Sequence, residues 1–158
     1  MGDERRASVE RVLSGRTGSL LDVGTGRGET IALAKLMGFA PVAGTEVVPY
    51  LVGGDVVYAE AHALPFADGS FDVVTCFDVL EHLLFDDQLP ALKEFRRVAK
   101  REVIVTAANY SHICDDVELH VGRRGDDEWA RIIGEIGTPE PLGWCGSAQG
   151  WRVVVGHA

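Results

Sequence analysis

Cysteine is scarce in this chain and unpaired: Cys76, Cys114 and Cys145 are odd in number, widely spaced, and form no Cys-x-x-Cys pair. That spacing offers no disulfide framework and suits a reducing cytoplasm, where we expect the protein to reside. Long apolar runs are missing too. None approaches the ~20 residues that span a bilayer, and residues 1–6 lead into no apolar signal core. Positive charge is in short supply: 15 Lys and Arg face 24 Asp and Glu, a formal net charge of -9. Such a surface repels phosphate backbones, so free nucleic acid is a disfavoured partner. The clusters Arg96, Arg97, Lys100, Arg101 and Arg123-Arg124 read as a solvated helix end and a loop. With 158 residues there is length for one domain and one core. Any selectivity for a ligand must then come from loops on that core or from a partner.

What is present alternates strand and helix signals. Val9, Val12 and Leu13 put apolar residues on one helix face that Ser14-Gly15 ends. Ser19 to Val23 reads as a buried strand. Residues 29–37 read as a helix with Ile31, Leu33, Ala34 and Leu36 inside and Gly38 as its stop. Strands are expected over Pro41–Glu46 and Asp55–Glu60. Between them there is room for about one short helical turn, near Pro49 to Val52, a brief connection for parallel strands. Phe71–Cys76 is a fourth strand. Leu89, Leu92, Phe95, Val98 and Ala99 mark a helix, and Glu102–Thr106 a fifth strand. The polar stretch from Ala107 to Gly125 is long enough to serve as a lid. Trp129, Ile132, Ile133 and Ile136 define a last helix, followed by short strands near Leu142–Cys145 and Trp151–Val155. The alternation predicts an α/β fold: a Rossmann-like, doubly wound, mostly parallel seven-stranded sheet with helices on both faces, in a minimal single domain. Within residues 1–158 we expect an N-terminal helix (1–18), a ligand-binding core (19–106), and a lid loop with the last helix and terminal strands (107–158). In such sheets ligands bind beyond the carboxyl ends of the strands.

The first strand runs into Asp22-Val23-Gly24-Thr25-Gly26-Arg27-Gly28-Glu29, which opens a helix. The glycines allow a tight turn and close backbone approach to a ligand. The dinucleotide fingerprint G-x-G-x-x-G is broken, because Glu29 stands where its last glycine would be. A carboxylate at that helix start repels a pyrophosphate and favours a ligand with a cationic portion. Glu46 follows Gly28 by 18 positions at a strand end, in register to accept hydrogen bonds from a ribose diol.

Further along come Glu60-Ala61-His62-Ala63-Leu64-Pro65-Phe66, Asp68-Gly69-Ser70-Phe71-Asp72-Val73-Val74, and Asp78-Val79-Leu80-Glu81-His82-Leu83. In this order the motifs resemble class I methyltransferases of the ubiquinone and menaquinone biosynthesis type, from about Leu20 through the final strands. The resemblance implies an S-adenosyl-L-methionine site. Asp22, Gly24, Thr25 and Gly26 would face its methionine end and Glu46 would hold the ribose hydroxyls. Glu60, in place of the family's usual Asp, would take the adenine amino group. The Ala61 backbone would serve another adenine nitrogen, and Val47 and Phe77 would pack on the ring. Two departures stand out. Ala99-Lys100-Arg101-Glu102 replaces the family's Pro-Gly-Gly turn, and the connection after the second strand is cut short, leaving an edge open to a homodimer or an activating partner.

Methyl transfer needs alignment more than it needs a catalytic triad, and a base only where the acceptor must lose a proton. Asp78 after the fourth strand and His112 after the fifth are the candidate catalytic residues; Asn109 and Tyr110, also after the fifth, are placed to meet an acceptor, and His120 to fold over the site from the long loop. Glu81-His82 either lines the substrate side or braces its turn. His112, Cys114, Asp115, Asp116 and His120 lack metal-ligand spacing, and no metal is assigned. The expected activity is methyl transfer to a small-molecule acceptor. The alternatives are an RNA or protein methyltransferase working with a partner subunit, and a non-catalytic cofactor-binding protein. No Asn-Pro-Pro-Tyr or Asp-Pro-Pro-Tyr motif follows the fourth strand, which weighs against amino-directed nucleic-acid chemistry.

Overall fold

A computed structural model describes residues 2–144 and 148–156. Seven strands form one sheet in the order β3-β2-β1-β4-β5-β9-β8: β1 Leu20–Val23, β2 Val42–Glu46, β3 Val56–Tyr58, β4 Phe71–Phe77, β5 Ala99–Ala107, β8 Pro139–Leu142 and β9 Gln149–Val154. The five strands from β3 to β5 are parallel to their neighbours, while β9 runs antiparallel between β5 and β8. This is the predicted Rossmann-like sheet, and it reverses order between β1 and β4, where ligands bind in folds of this kind.

The helices divide between the two faces. Alternate residues of the strands feed two apolar clusters. Leu20, Val73, Phe77 and Ile104 pack with Val9, Val12 and Leu13 of α1 (Asp3–Leu13) and with Ile31, Leu33 and Ala34 of α2 (Glu29–Leu36). Leu21, Val23, Val74, Val103 and Val105 pack on the other face with Ala91, Leu92 and Phe95 of α3 (Phe85–Val98) and with Trp129 and Ile133 of α4 (Asp126–Ile133). Central parallel strands buried on both faces explain why their sequences read as continuous apolar runs.

Several expected boundaries move. Leu36 is 79 % exposed, because α2 has already turned its last residue away from the sheet. The third strand keeps only Val56–Tyr58, so Glu60 lies two residues beyond its end. Ala99 belongs to β5, not to the preceding helix: it is extended and pairs with Phe71, and sheet pairing outweighs one more helical residue. The short helical turn after β2 is a 3-10 turn, Pro49–Leu51. The strand expected over Leu142–Cys145 is β8, placed earlier, and Cys145 lies outside the described residues. The long polar loop contains a small hairpin, β6 Ile113–Cys114 and β7 Val117–Glu118. Asp115 and Asp116 turn it with φ of 49° and 63°, the left-handed conformation that aspartate tolerates better than most residues. Among the described residues no helix is long and apolar enough to cross a membrane.

Candidate functional site

The carboxyl ends of β1, β2 and β4 surround a cavity of about 260 Å³ lined by Val23, Gly24, Glu46, Val47, Ala59, Ala61, Val79, His82 and Leu83. Its chemistry changes from one end to the other.

At the β1–β2 end the glycine loop is tied down by its own backbone. Gly24 and Thr25 N–H groups both donate to the Thr45 carbonyl, at 2.9 and 3.0 Å. Gly26 N–H donates to Glu46 Oε2 at 2.8 Å, while Val47 and Val48 N–H donate to Glu46 Oε1 at 2.8 and 3.1 Å. The Glu46 carboxylate is thus fixed by three backbone donors and still has lone-pair capacity for a ligand hydroxyl. An N–H that would cradle a phosphate in a nucleotide loop is here spent on Glu46, so the loop is not a phosphate nest. Gly24 sits at φ 69°, and a Cβ there would come within 2.4 Å of Val79 Cγ2. Only glycine brings the loop this close to the β4 end.

Beneath the loop, Asp22 is buried and accepts a hydrogen bond from Thr75 Oγ1 at 2.7 Å. Burial pushes its carboxyl up to about 6, against the pull of the Thr75 hydroxyl. A buried acid short of compensating charge suits a ligand that brings a cation. The donor set here suits S-adenosylmethionine in kind: negative charge at Asp22, a hydroxyl acceptor at Glu46, and apolar walls at Val47, Ala59, Ala61 and Val79.

Of the nine residues expected to bind a cofactor, Gly24, Glu46, Val47 and Ala61 line the cavity; Asp22 and Gly26 lie outside the lining, and so do three others. Glu60 is exposed, with Nε2 of His62 3.4 Å from its Oε2, while its neighbours Ala59 and Ala61 line the cavity. Phe77 points to the α1–α2 side and stacks on Trp144, with ring centroids 4.7 Å apart and planes at 29°. Thr25 is buried at the base of the loop, also outside the lining.

At the β4–β5 end, Asp78 has φ 57°, an unusual conformation for a non-glycine residue. Thr106 holds it there, accepting from the Asp78 N–H at 3.0 Å and donating to Asp78 Oδ1 at 2.7 Å. Arg5 of α1 pairs with Asp78 Oδ2. The sequence offered no sign of that contact, because Arg5 sits on a helix whose legible signal was its apolar face. His112 lies exposed on the hairpin, its ring 5.2 Å from that of His120.

The Ala107–Gly125 stretch is anchored. Glu118 accepts from the N–H groups of His112 and His120 at 3.0 and 2.8 Å, from Arg123 at 2.9 Å, and from the Ser111 hydroxyl. Those donors, the Ser111 hydroxyl foremost, hold its carboxyl down at about 2. Buried Gln88 donates to the carbonyls of Gly122 and Leu80, at 2.6 and 3.1 Å, and accepts from Arg124 at 2.6 Å. A Cβ at Gly122 would lie 1.9 Å from the Leu83 carbonyl oxygen. Loop and turn therefore meet backbone to backbone.

Comparison with known proteins bears on the family and the fold. The family model described as "Methyltransferase domain" matches residues 21–107. The demethylmenaquinone methyltransferase of Thermotoga maritima is 32 % identical over 109 residues, covering 62 % of this chain and 46 % of that protein. The chain thus spans about half the length of that curated relative. Among solved structures, the PH0226 protein of Pyrococcus horikoshii OT3 superposes with a TM-score of 0.82 at 16 % identity, covering 96 % of this chain and 90 % of that one. The protein bound to the Trm112 methyltransferase activator of Haloferax volcanii gives 0.78 at 16 % identity, covering 99 % and 91 %. Magnesium protoporphyrin IX methyltransferase of Synechocystis PCC 6803, solved with bound SAH, gives 0.72 at 17 %, covering 96 % and 83 %.

Proposed function

The chain belongs to the class I S-adenosylmethionine-dependent methyltransferase family, and on that premise we propose that it methylates a small-molecule acceptor in the cavity between β1, β2 and β4. The observation that carries this reading is Glu46: a carboxylate set by three backbone N–H groups at the wall of the cavity, beside a glycine loop that holds no phosphate nest. When bound, the cofactor supplies a methyl group made electrophilic by its sulfonium. Glu46 holds the ribose diol, Asp22 offers negative charge below the methionine end, and Ala61 and Glu60 serve the adenine end. Asp78, fixed by Thr106 and Arg5, orients the acceptor, and His112 takes up the acceptor's proton where one must leave. The net acidic charge and the small cavity, about 260 Å³, favour a small acceptor over a nucleic acid. Two free thiols among the described residues, Cys76 and the exposed Cys114, fit a cytoplasmic setting.

A partner subunit has its own support. Tyr50, Val57 and Tyr58 expose large apolar surface on and beside the short edge strand β3. A protein of the same fold binds a methyltransferase activator. We propose this edge as the place where a second subunit, of the same or another chain, would pair.

Isothermal titration with S-adenosylmethionine, S-adenosylhomocysteine and NAD tests the reading. The first two bind and NAD does not. Glu46→Ala weakens S-adenosylmethionine binding at least about tenfold, since a hydrogen bond to a charged group is worth about 1.5–3 kcal/mol. An unchanged dissociation constant removes Glu46 from the site.

A further inference from the structure

Beside the cavity wall that His82 lines, three side chains converge that the reading above leaves without work. Glu81 and His82 lie on the 3-10 turn Leu80–His82 after β4, and His120 comes from the loop after the β6–β7 hairpin. One potential ligand atom from each lies within 4.8 Å of the others. The rings of His82 and His120 stand edge to face with centroids 4.8 Å apart.

The hydrogen bonds decide which atoms are free. His82 Nδ1 lies 2.9 Å from the Leu119 carbonyl, and His120 Nδ1 lies 2.8 Å from the Tyr110 carbonyl. A carbonyl only accepts, so both Nδ1 atoms carry the proton, and each neutral ring keeps a bare lone pair at Nε2. A backbone carbonyl behind a histidine is the usual arrangement around metal-bound imidazole, where it sets tautomer and ring orientation. Glu81 provides an independent sign. It is 1 % exposed, yet its Oε2 has no hydrogen-bond partner. A buried carboxylate oxygen left unpaired is costly unless something binds it.

We propose that Glu81, His82 and His120 bind a divalent transition-metal ion of zinc-type N,O preference at the acceptor end of the cavity. Two imidazoles and one carboxylate are a three-donor set typical of catalytic metal sites, which keep a position open for water or substrate. Donors on one such ion stand roughly 3.3 Å apart, as follows from metal–ligand distances of about 2.1 Å. Binding therefore draws the three donors inward from their present spread. His82 also lines the cavity, so an ion held by it would stand at the cavity wall. The acceptor class this implies is one presenting a hydroxyl. On the ion its O–H bond breaks, the oxygen keeps the electron pair, and the proton passes to the base named above, His112. This use of the ion rests on the methyltransferase reading; the binding of the ion does not.

The test is titration of the chelator-stripped chain with Co²⁺ and Zn²⁺ alone, in the absence of cofactor. We expect one Co²⁺ per chain, with d–d bands free of sulfur-to-cobalt charge transfer, which separates this site from the free thiols. Glu81→Gln and His120→Gln each weaken binding at least about tenfold, while His112→Gln leaves it within about twofold. Wild-type protein gives a second measure that needs no variant: Zn²⁺ at about a hundred times its dissociation constant raises Tm through preferential binding to the folded state. Absence of that rise, a thiolate spectrum, or equal binding by the Glu81→Gln and His120→Gln chains overturns the site. S-adenosylhomocysteine titration of the same stripped chain reports on the cofactor reading separately, so failure of one is distinguishable from failure of the other.

Discussion

The two ends of the cavity differ in how their polar groups are satisfied. At the cofactor end, Glu46 already receives three backbone hydrogen bonds from residues 26, 47 and 48, and the glycine loop is bonded to Thr45. At the acceptor end, Glu81 keeps an unpaired oxygen and two histidines present bare Nε2 atoms. One end is complete as built, with room for a diol; the other is complete only when something binds. A preformed end suits a cofactor common to a whole family, and an end with unspent donors suits the part that differs among acceptors.

Substitutions break this comparison in order of severity. Gly122→Ala should act most strongly, because its Cβ meets a backbone oxygen that cannot rotate away. We expect a stability loss of about 3 kcal/mol, read by denaturant unfolding. If the ends are separable, S-adenosylhomocysteine affinity should persist in the folded fraction while Co²⁺ binding is lost. Equal loss of both would mean that the cavity is a single cooperative unit.

Asp22→Asn probes the cofactor end through pH. The folded carboxyl lies near 6, above its unfolded value, so the folded state holds its proton more tightly. Stability therefore falls as pH rises from about 4 to about 6, and the full cost is present above that window. The neutral amide escapes it. The variant should exceed wild type by about 3 kcal/mol at pH 8, with the gain vanishing near pH 4. S-adenosylmethionine should bind it more weakly, because the negative charge below the loop is gone. A gain independent of pH would place the cause in packing.

Trp144→Ala should have the smallest effect. Losing the stack on Phe77 costs about 1 kcal/mol. Cofactor affinity should stay unchanged, since Phe77 faces the α1–α2 core. A tenfold loss would return Phe77 to the adenine end, where the family resemblance places it.

Much of the cofactor end was legible in the sequence because its parts are local. Gly24, Gly26 and Glu46 are read from one strand-loop-helix-strand unit, and hydrophobic patterning brings β1 and β2 side by side. The alternation of strands and helices likewise announced the parallel sheet. At the acceptor end the individual candidates Glu81-His82 and His120 were legible, but their meeting was not. His82 and His120 belong to segments 38 positions apart in the chain, joined by long-range bonds such as those of Gln88 to Gly122 and of His82 to Leu119. The local spacing of His112, Cys114, Asp115, Asp116 and His120 gave no metal-ligand pattern, and it held no sign of a partner for His120 on another element. Asp115 and Asp116 turn the hairpin, and the partners of His120 lie on another element.

By itself, then, the sequence determined the sheet, the glycine loop and the acid at the end of β2. These follow from short-range periodicity, backbone freedom and fixed spacing. Tertiary structure alone decided that Phe77 faces the core, that Arg5 reaches Asp78, and that Glu81, His82 and His120 meet. Those outcomes depend on which strand-end turn packs against which distant loop, a matter of long-range contact that no local pattern encodes.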